Sequence, residues 1–249
     1  MKNEASLSFF NSVSVYRNAT EQSLIELRKI YPEEYILLAC DGCDSYMEMA
    51  KTYNCEYLHC NKRLGYQQQP HGYKIEDALD FLSRFYIAAV RSPSSHIMLM
   101  EDDIILTRPL KFDYDCEHMS VQSHEFIPEP VLDWIYQFSG KYPKTNYYAG
   151  CGGSIYKVST FIEYYPEVVK FMRTTGRIIQ DHIYPTIGWV DCFMTIFFML
   201  AGKDFTVNTR CTELPRSSHD KPKSDIDYDK LVDDLRPDYD VIMHYKKYY

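Results

Sequence analysis

The stretch Ile97-Met-Leu-Met-Glu101-Asp102-Asp103-Ile-Ile-Leu106 sets three consecutive acids between two apolar runs. Carboxylates so placed carry a desolvation cost that a cation or hydrogen bonds must offset. Hard oxygen ligands suit Mg2+ or Mn2+, and Mg2+ commonly takes one or two protein carboxylates beside the phosphates of a substrate. Alternation along a strand puts Glu101 and Asp103 on one side and Asp102 on the other. An acidic turn with a helix cap would leave the same trace. Tyr148-Ala-Gly-Cys-Gly-Gly-Ser154 has the glycines to let backbone amides approach a diphosphate or sugar, or to make a tight turn between strands. Cys40-Asp-Gly-Cys43 is formally C-x-x-C, but no second pair stands elsewhere for zinc and no clear strand-to-helix redox context surrounds it. Reduced, half-buried thiols are the better reading. Tyr73, Tyr147 and Tyr148 stand where a sugar site would need rings, yet most of the 23 tyrosines pack in the core.

The elements that must position these residues follow from pattern. Leu7 to Tyr16 reads as a first strand, ending near Tyr16-Arg17-Asn18. Thr20 then caps a helix over Glu21 to Ile30, with Leu24, Ile25, Leu27 and Ile30 on its apolar side. Tyr35 to Cys40 is continuously apolar, as a strand covered on both faces should be, and Asp41-Gly42 ends it. A short helix over Tyr46 to Tyr53, a strand over Glu56 to Cys60 and a polar loop over Asn61 to Gly72 come next. Ile75 to Val90 has a helical period, and His96 to Met100 is a further short strand. This β-α-β-α-β-α-β order predicts a parallel sheet flanked by helices. Ligands in such sheets bind beyond the carboxyl ends of strands, near a change in strand order. Four polar clusters meet that condition: Tyr16-Arg17-Asn18, Asp41-Gly42, the Asn61 loop and Glu101-Asp102-Asp103. Beyond them the pattern is weaker. Lys111 to Pro130 reads as a connection, Val131 to Phe138 as a helix, and Val190 to Leu200 as apolar except for Asp191 and Thr195. Glu213 to Asp240, charge-rich with three prolines, reads as a mobile surface segment that orders, like Lys111 to Pro130, upon binding.

Composition bounds the class. The chain has 249 residues, enough for one large domain, and 45% are hydrophobic, enough for a substantial core. A net charge of −8 is the wrong sign for broad neutralisation of nucleic-acid phosphates. No run approaches the ~20 apolar residues of a membrane span. The start, Met1-Lys2-Asn3-Glu4, lacks the apolar stretch of a signal peptide, so the expected location is cytoplasmic.

An apolar strand running into an acidic triplet resembles the D-x-D signature of GT-A-fold nucleotide-sugar glycosyltransferases of the family-2-like kind, with Glu in the first position. Asn11-Ser-Val-Ser-Val15-Tyr16-Arg17-Asn18 is similar to the first strand and nucleotide-contacting loop of that fold. Leu38-Ala-Cys-Asp41-Gly42 resembles its second strand, whose terminal Asp contacts the base, and Asn61-Lys-Arg63-Leu-Gly65 resembles a further nucleotide loop. The resemblance covers about the first 110 residues well and the rest by scattered motifs. It implies an α/β, GT-A-like single domain: a Rossmann-like, mostly parallel half over 1–110 for the nucleotide sugar, and a smaller acceptor-side half over 111–249. It implies that Asp103 ligates Mn2+ or Mg2+, that Glu101 meets the ribose or the metal, and that Asp102, Val15, Tyr16, Arg17, Asp41 and Arg63 line the donor. Gly152 and Gly153 would shape the sugar pocket.

By the same resemblance, Gly188-Trp-Val-Asp191 opens the helix of inverting enzymes that starts with the catalytic base, although an Asp there also caps an apolar helix. Trp189 would be a sugar wall or a buried ring. His244, after the apolar Val241-Ile-Met, would complete the metal shell and favour Mn2+, with Lys246 on the diphosphate. His182 beside Asp181 is a weaker competitor. The implied activity is transfer of a sugar from a nucleoside diphosphate to a hydroxyl of a carbohydrate or glycoprotein, inverting if Asp191 is the base. A retaining enzyme and a non-catalytic nucleotide-sugar-binding module remain open. A nucleotidyltransferase ranks below, because Ser14 to Asn18 contains no glycine for a triphosphate loop.

Overall fold

The computed structural model describes residues 6–13, 16–41, 45–62, 64, 74–120, 122–149, 152–183, 190–214 and 227–243. Its first part alternates strands and helices: β1 (Leu7–Val13), α1 (Arg17–Ile30), β2 (Ile36–Asp41), α2 (Ser45–Thr52), β3 (Glu56–Cys60), α3 (Ile75–Arg91) and β4 (His96–Glu101). Then come β5 (Ile105–Leu106), β6 (His118–Ser120), β7 (Gln122–Phe126), α4 (Glu129–Ser139), β8 (Tyr147–Ala149), β9 (Ile155–Lys157) and α5 (Val158–Ile183). The chain closes with α6 (Val190–Leu200), β10 (Thr206–Val207), β11 (Cys211–Glu213), α7 (Tyr228–Leu235) and β12 (Val241–Met243).

Seven strands form one sheet in the order β10-β6-β9-β4-β1-β2-β3. β3, β2, β1 and β4 run parallel, and β9 lies antiparallel between β4 and β6. The expected α/β fold with a mostly parallel sheet is what the chain forms. The sheet is covered on both faces, which is why β2 is buried at every position. Alternation sends Phe10, Ile97 and Leu99 to the face packed by Phe85, Phe161, Met172 and Phe197 of α3, α5 and α6. Phe9, Val13, Met98 and Met100 go to the other face, against Leu24 and Leu27 of α1 and Met49 of α2. A small sheet, β11-β12-β5, joins that second face through Val241, Cys211 and Leu106, and Tyr228 and Val232 of α7 cover its outside.

Several boundaries differ from the sequence expectation for physical reasons. β1 ends at Val13, and α1 begins at Arg17 instead of Glu21. Thr20 does not cap from outside; it is buried in the first turn, where its hydroxyl donates to Tyr16 O at 3.1 Å. The expected connection at 111–130 carries β6, only three residues long, and β7, whose polar Gln-Ser-His-Glu run hides a strand. The expected surface segment at 213–240 carries α7, with Asp227 accepting from Lys230 N at 3.0 Å as its cap. α5, 26 residues with Pro166 inside, had no counterpart in the pattern. None of the described helices is long and apolar enough to cross a membrane.

Candidate donor-binding site

The strand order reverses between β1 and β4, so the crevice beyond their carboxyl ends is where a ligand is expected. Leu7↔His96 through Ser12↔Glu101 keep the two strands in register, so β1 ends where the acidic triplet starts. Glu101 is the last residue of β4, and Asp102 and Asp103 form a turn. The period-two expectation that Asp103 repeats the side of Glu101 therefore stops one residue too early to apply. Asp102 instead accepts a hydrogen bond from Tyr16 N at 3.3 Å. That bond ties the entry of α1 to the triplet across the switch point. Ser23 of α1 adds a second tie, donating to Ile104 O at 2.6 Å. Asp102 and Asp103 are buried, the latter 1% exposed, while Glu101 is only half-buried. Arg17 sits exposed at the first turn of α1 beside half-buried Tyr16.

Antiparallel pairing brings the glycine segment to the same place. β9 begins where β4 ends, and the hydrogen bonds Gly153 N to Leu99 O and Leu99 N to Ser154 O, both 2.8 Å, extend the pairing into the preceding turn. Gly153 has φ +81°, which a side chain would strain. A Cβ on Gly152 would lie 2.8 Å from Ile104 Cδ1 and 3.3 Å from Glu101 Oε2. A side chain at 152 would therefore push Ile104 or the Glu101 carboxylate aside. The structure thus assembles Tyr16, Arg17, Glu101, Asp102, Asp103, Gly152 and Gly153 in one region.

α6 reaches this region from the α3/α5 side of the sheet. Thr195, wholly buried, accepts from Ala149 N at 3.1 Å and donates to Ala149 O at 3.2 Å, three residues before Gly152. Position 191 lies one turn earlier on the same helix face; the side chain of Asp191 is outside the described part of the structure. Val15, Arg63, His244 and Lys246 also lie outside the described residues, as do Cys43, Tyr73 and Trp189. β12 runs antiparallel to β5, with Val241↔Leu106 and Ile242↔Ile105, so the chain preceding His244 heads back toward the triplet.

Asp41, which the resemblance places against the donor base, is held by protein partners at the end of its strand. It is 5% exposed at the end of β2, and its two oxygens are taken by Arg84 of α3 and by Leu64 N, the latter at 2.7 Å. Arg84 was not expected from sequence, although its i,i+4 relation to Asp80 was visible; the two pair at 2.7 Å. Among the described cysteines, burial pushes the Cys60 thiol up to about 11 and the Cys211 thiol up to about 12, which keeps both protonated at neutral pH.

Among the described residues no group of three or more His, Cys, Asp or Glu side chains is gathered as a metal shell.

No protein-family model and no curated protein matches this sequence. Solved structures do match in fold. The galactosyltransferase LgtC, in complex with donor and acceptor sugar analogues, gives a TM-score of 0.54 at 11% identity, covering 96% of this chain and 87% of that one. The glycosyltransferase GlyE of Streptococcus pneumoniae TIGR4 gives 0.50 at 9% identity, with 96% of this chain and 55% of that chain covered. The bifunctional glycosyltransferase WbbM, in its apo form, gives 0.51 at 9% identity over 97% and 46%. At such identities the likeness is one of fold, and the fold is that of GT-A-like glycosyltransferases.

Proposed function

We propose that this chain is a glycosyltransferase that moves a sugar from a nucleoside-diphosphate donor to a hydroxyl of a carbohydrate or glycoprotein acceptor. The observation that carries the reading is the meeting, at the β1/β4 switch point, of the acidic triplet, the entry to α1 and the Gly152 turn. A crevice with carboxylates on one wall and bare backbone on the other suits a diphosphate carried by a divalent cation. The fold it shares with LgtC, GlyE and WbbM supports sugar transfer as the chemistry.

Asp103 and Glu101 would hold Mn2+ or Mg2+, with His244 as a further ligand where β12 returns toward Asp103. When bound, the cation supplies neutralisation of charge on the departing diphosphate. By the sequence resemblance, Lys246 and Arg63 would assist at the diphosphate and Arg17 would line the donor. Asp102 is a positioning residue, acting through Tyr16 N. Val15 and Tyr16 would border the nucleoside, and Gly152 and Gly153 the sugar. Asp191, at the start of α6, would take the proton of the acceptor hydroxyl as its oxygen attacks the anomeric carbon opposite the diphosphate. That geometry inverts the anomeric configuration. The acceptor would approach over residues 111–249, and residues 1–110 would hold the donor.

The test is incubation with a panel of nucleoside-diphosphate sugars and Mn2+, following release of the nucleoside diphosphate with mixed oligosaccharides as acceptors. Asp103→Asn and Asp191→Asn should each lower, by about 10²-fold or more, the release that the wild-type protein supports, and NMR of the product should show inversion. Retention of configuration removes Asp191 from its role, and a wild-type protein that binds donors without consuming any is a binding module instead.

A further inference from the structure

Exposed aromatic rings are not spread evenly over this surface. Of the eight large hydrophobic side chains that stand exposed among the described residues, three lie in one strip around α4: Phe126 at 55%, Tyr136 at 45% and Tyr142 at 52%. Apolar side chains exposed singly are ordinary, whereas a cluster of them marks an interaction surface. Each of these rings has an aromatic neighbour. Tyr136 and Tyr142 stack at 4.5 Å with planes 14° apart, and Phe126 meets half-buried Tyr147 at 4.4 Å. Exposed Asp133, one turn before Tyr136 on the helix, accepts from the Tyr142 hydroxyl through Oδ1 at 2.7 Å.

The strip is built from a helix and a returning segment. Gly140, at φ +68°, turns the chain back after α4, and its amide closes the last turn on Tyr136 O at 2.8 Å. The return is held by Lys144 N donating to Asp204 Oδ1 at 2.7 Å and by Ile127 N donating to Asn146 O at 2.6 Å. Tyr142 thus falls against Tyr136, and Tyr147 against Phe126, its partner in the β7–β8 register. Alternation decides which tyrosine turns outward: Tyr148 is buried in the core, so Tyr147 faces away from it. Val131, Trp134 and Ile135 anchor α4 itself, with Trp134 Nε1 donating to Thr175 at 2.7 Å. The rings are therefore fixed before any partner arrives, which lowers the ordering cost of binding. A stacked pair behind a helix-ending glycine also shields the helix end, but that role calls for burial, and both rings keep about half their surface in water.

Ring faces, a phenol hydroxyl and a carboxylate set side by side suit a carbohydrate. A pyranose offers apolar C–H faces to aromatic rings and a rim of hydroxyls to oxygen acceptors and donors. An apolar peptide would have no use for Asp133, and an anionic chain would be repelled by it in a protein of net charge −8. Spacing favours a chain of sugars over a single one. Tyr136 lies two turns beyond the start of α4, about 11 Å, so one sugar ring cannot reach both aromatic pairs. The strip is also continuous with the donor site along the chain. Thr195 clamps Ala149, two residues after Tyr147, and Gly152 beside Glu101 is five residues on, at most about 18 Å away.

We infer that the strip of Phe126, Asp133, Tyr136, Tyr142 and Tyr147 binds a neutral oligosaccharide away from the reacting atoms, and that this ligand is the extended part of the acceptor. The role as acceptor rests on the transfer proposed above; the binding itself does not.

Isothermal titration and saturation-transfer NMR of the whole chain with cellohexaose, maltohexaose, chitohexaose and xylohexaose, without nucleotide, read the binding directly. The wild-type protein should bind at least one hexasaccharide, and more tightly than the matching disaccharide. Tyr136→Ala with Tyr142→Ala, and separately Phe126→Ala, should each weaken that binding about tenfold, the scale of one lost aromatic contact. Asp133→Asn keeps every ring and should weaken it severalfold. Tyr114→Ala removes an exposed ring elsewhere and should leave it unchanged. Urea midpoints near wild type should accompany these losses, since the rings stand at the surface. Hexasaccharides bound by no protein, or bound equally by the wild type and all the strip variants, overturn the inference. So does wild-type self-association in sedimentation that Tyr136→Ala with Tyr142→Ala abolishes, because a second copy would then cover the strip. A wild-type protein that binds a hexasaccharide but consumes no nucleotide sugar keeps the strip and loses the transfer reading; one that transfers sugar but binds no hexasaccharide loses the strip alone.

Discussion

Asp103 and Gly152 carry opposite kinds of evidence about the same crevice. Asp103 is a carboxylate withdrawn almost wholly from solvent, and Gly152 is a missing side chain that lets backbone press against Glu101 and Ile104. Removing the first charge with Asp103→Asn should lower turnover by about 10²–10³-fold, as for loss of one electrostatic group at a developing charge. Adding a methyl group with Gly152→Ala should displace Glu101 or Ile104 and raise the donor KM, and a urea midpoint close to wild type would show that the effect is local. Gly153→Ala is expected to behave differently. Its φ of +81° strains any L side chain, and the new Cβ would sit 3.0 Å from Val241, so it should cost about 1–2 kcal/mol in urea denaturation. The acids were legible in the sequence because charge between apolar runs demands an explanation. The partner of Asp102 was not, because it is a backbone amide 86 residues away that any residue type would supply.

Elements hold these residues in place through polar groups set inside apolar packing. Thr195 is the buried hydroxyl in α6 that bonds both backbone groups of Ala149. Thr195→Val keeps the shape but strands an amide and a carbonyl, and should destabilise by about 1–3 kcal/mol. It should also slow transfer more than it weakens donor binding, since it loosens α6 against the Gly152 turn; Thr195→Ser should recover both. His118 of β6 is the second case. It stacks on Tyr156 at 4.6 Å, and burial drives its pKa down from 6.5 to about 3. The folded protein keeps it neutral where an unfolded chain takes up a proton. Its contribution to stability is thus complete above about pH 6.5 and is lost as the pH falls toward 3. His118→Phe should flatten that acid limb, read from urea midpoints at pH 7 and pH 5. Elements with long regular periods, such as α3, were readable almost to the residue. β6 and β8, three residues each, were not, being too short to alternate. α5 was concealed by Pro166, a residue whose missing amide normally ends a helix.

At the scale of the whole molecule, the parallel half follows from strand and helix alternation, and its strand order fixes the crevice. What pattern alone does not supply is the return of the later chain. β9 enters the sheet antiparallel beside β4, and β12 comes back along β5 at the other side of the acidic turn. Both pairings join segments far apart in sequence through two or three residues, too few to leave a signature. They matter because they place the glycine turn and the approach to His244 against the triplet, which the first 110 residues cannot do alone. The central claim is that Asp103 grips a divalent cation together with a nucleoside diphosphate. Its most direct measurement is the electron paramagnetic resonance signal of free Mn2+, titrated with protein in the presence of the preferred nucleoside diphosphate. The wild-type chain should remove the free-ion signal at stoichiometric protein, and Asp103→Asn should leave it as nucleotide alone does. Equal uptake of Mn2+ by both proteins, or none by either, would contradict it.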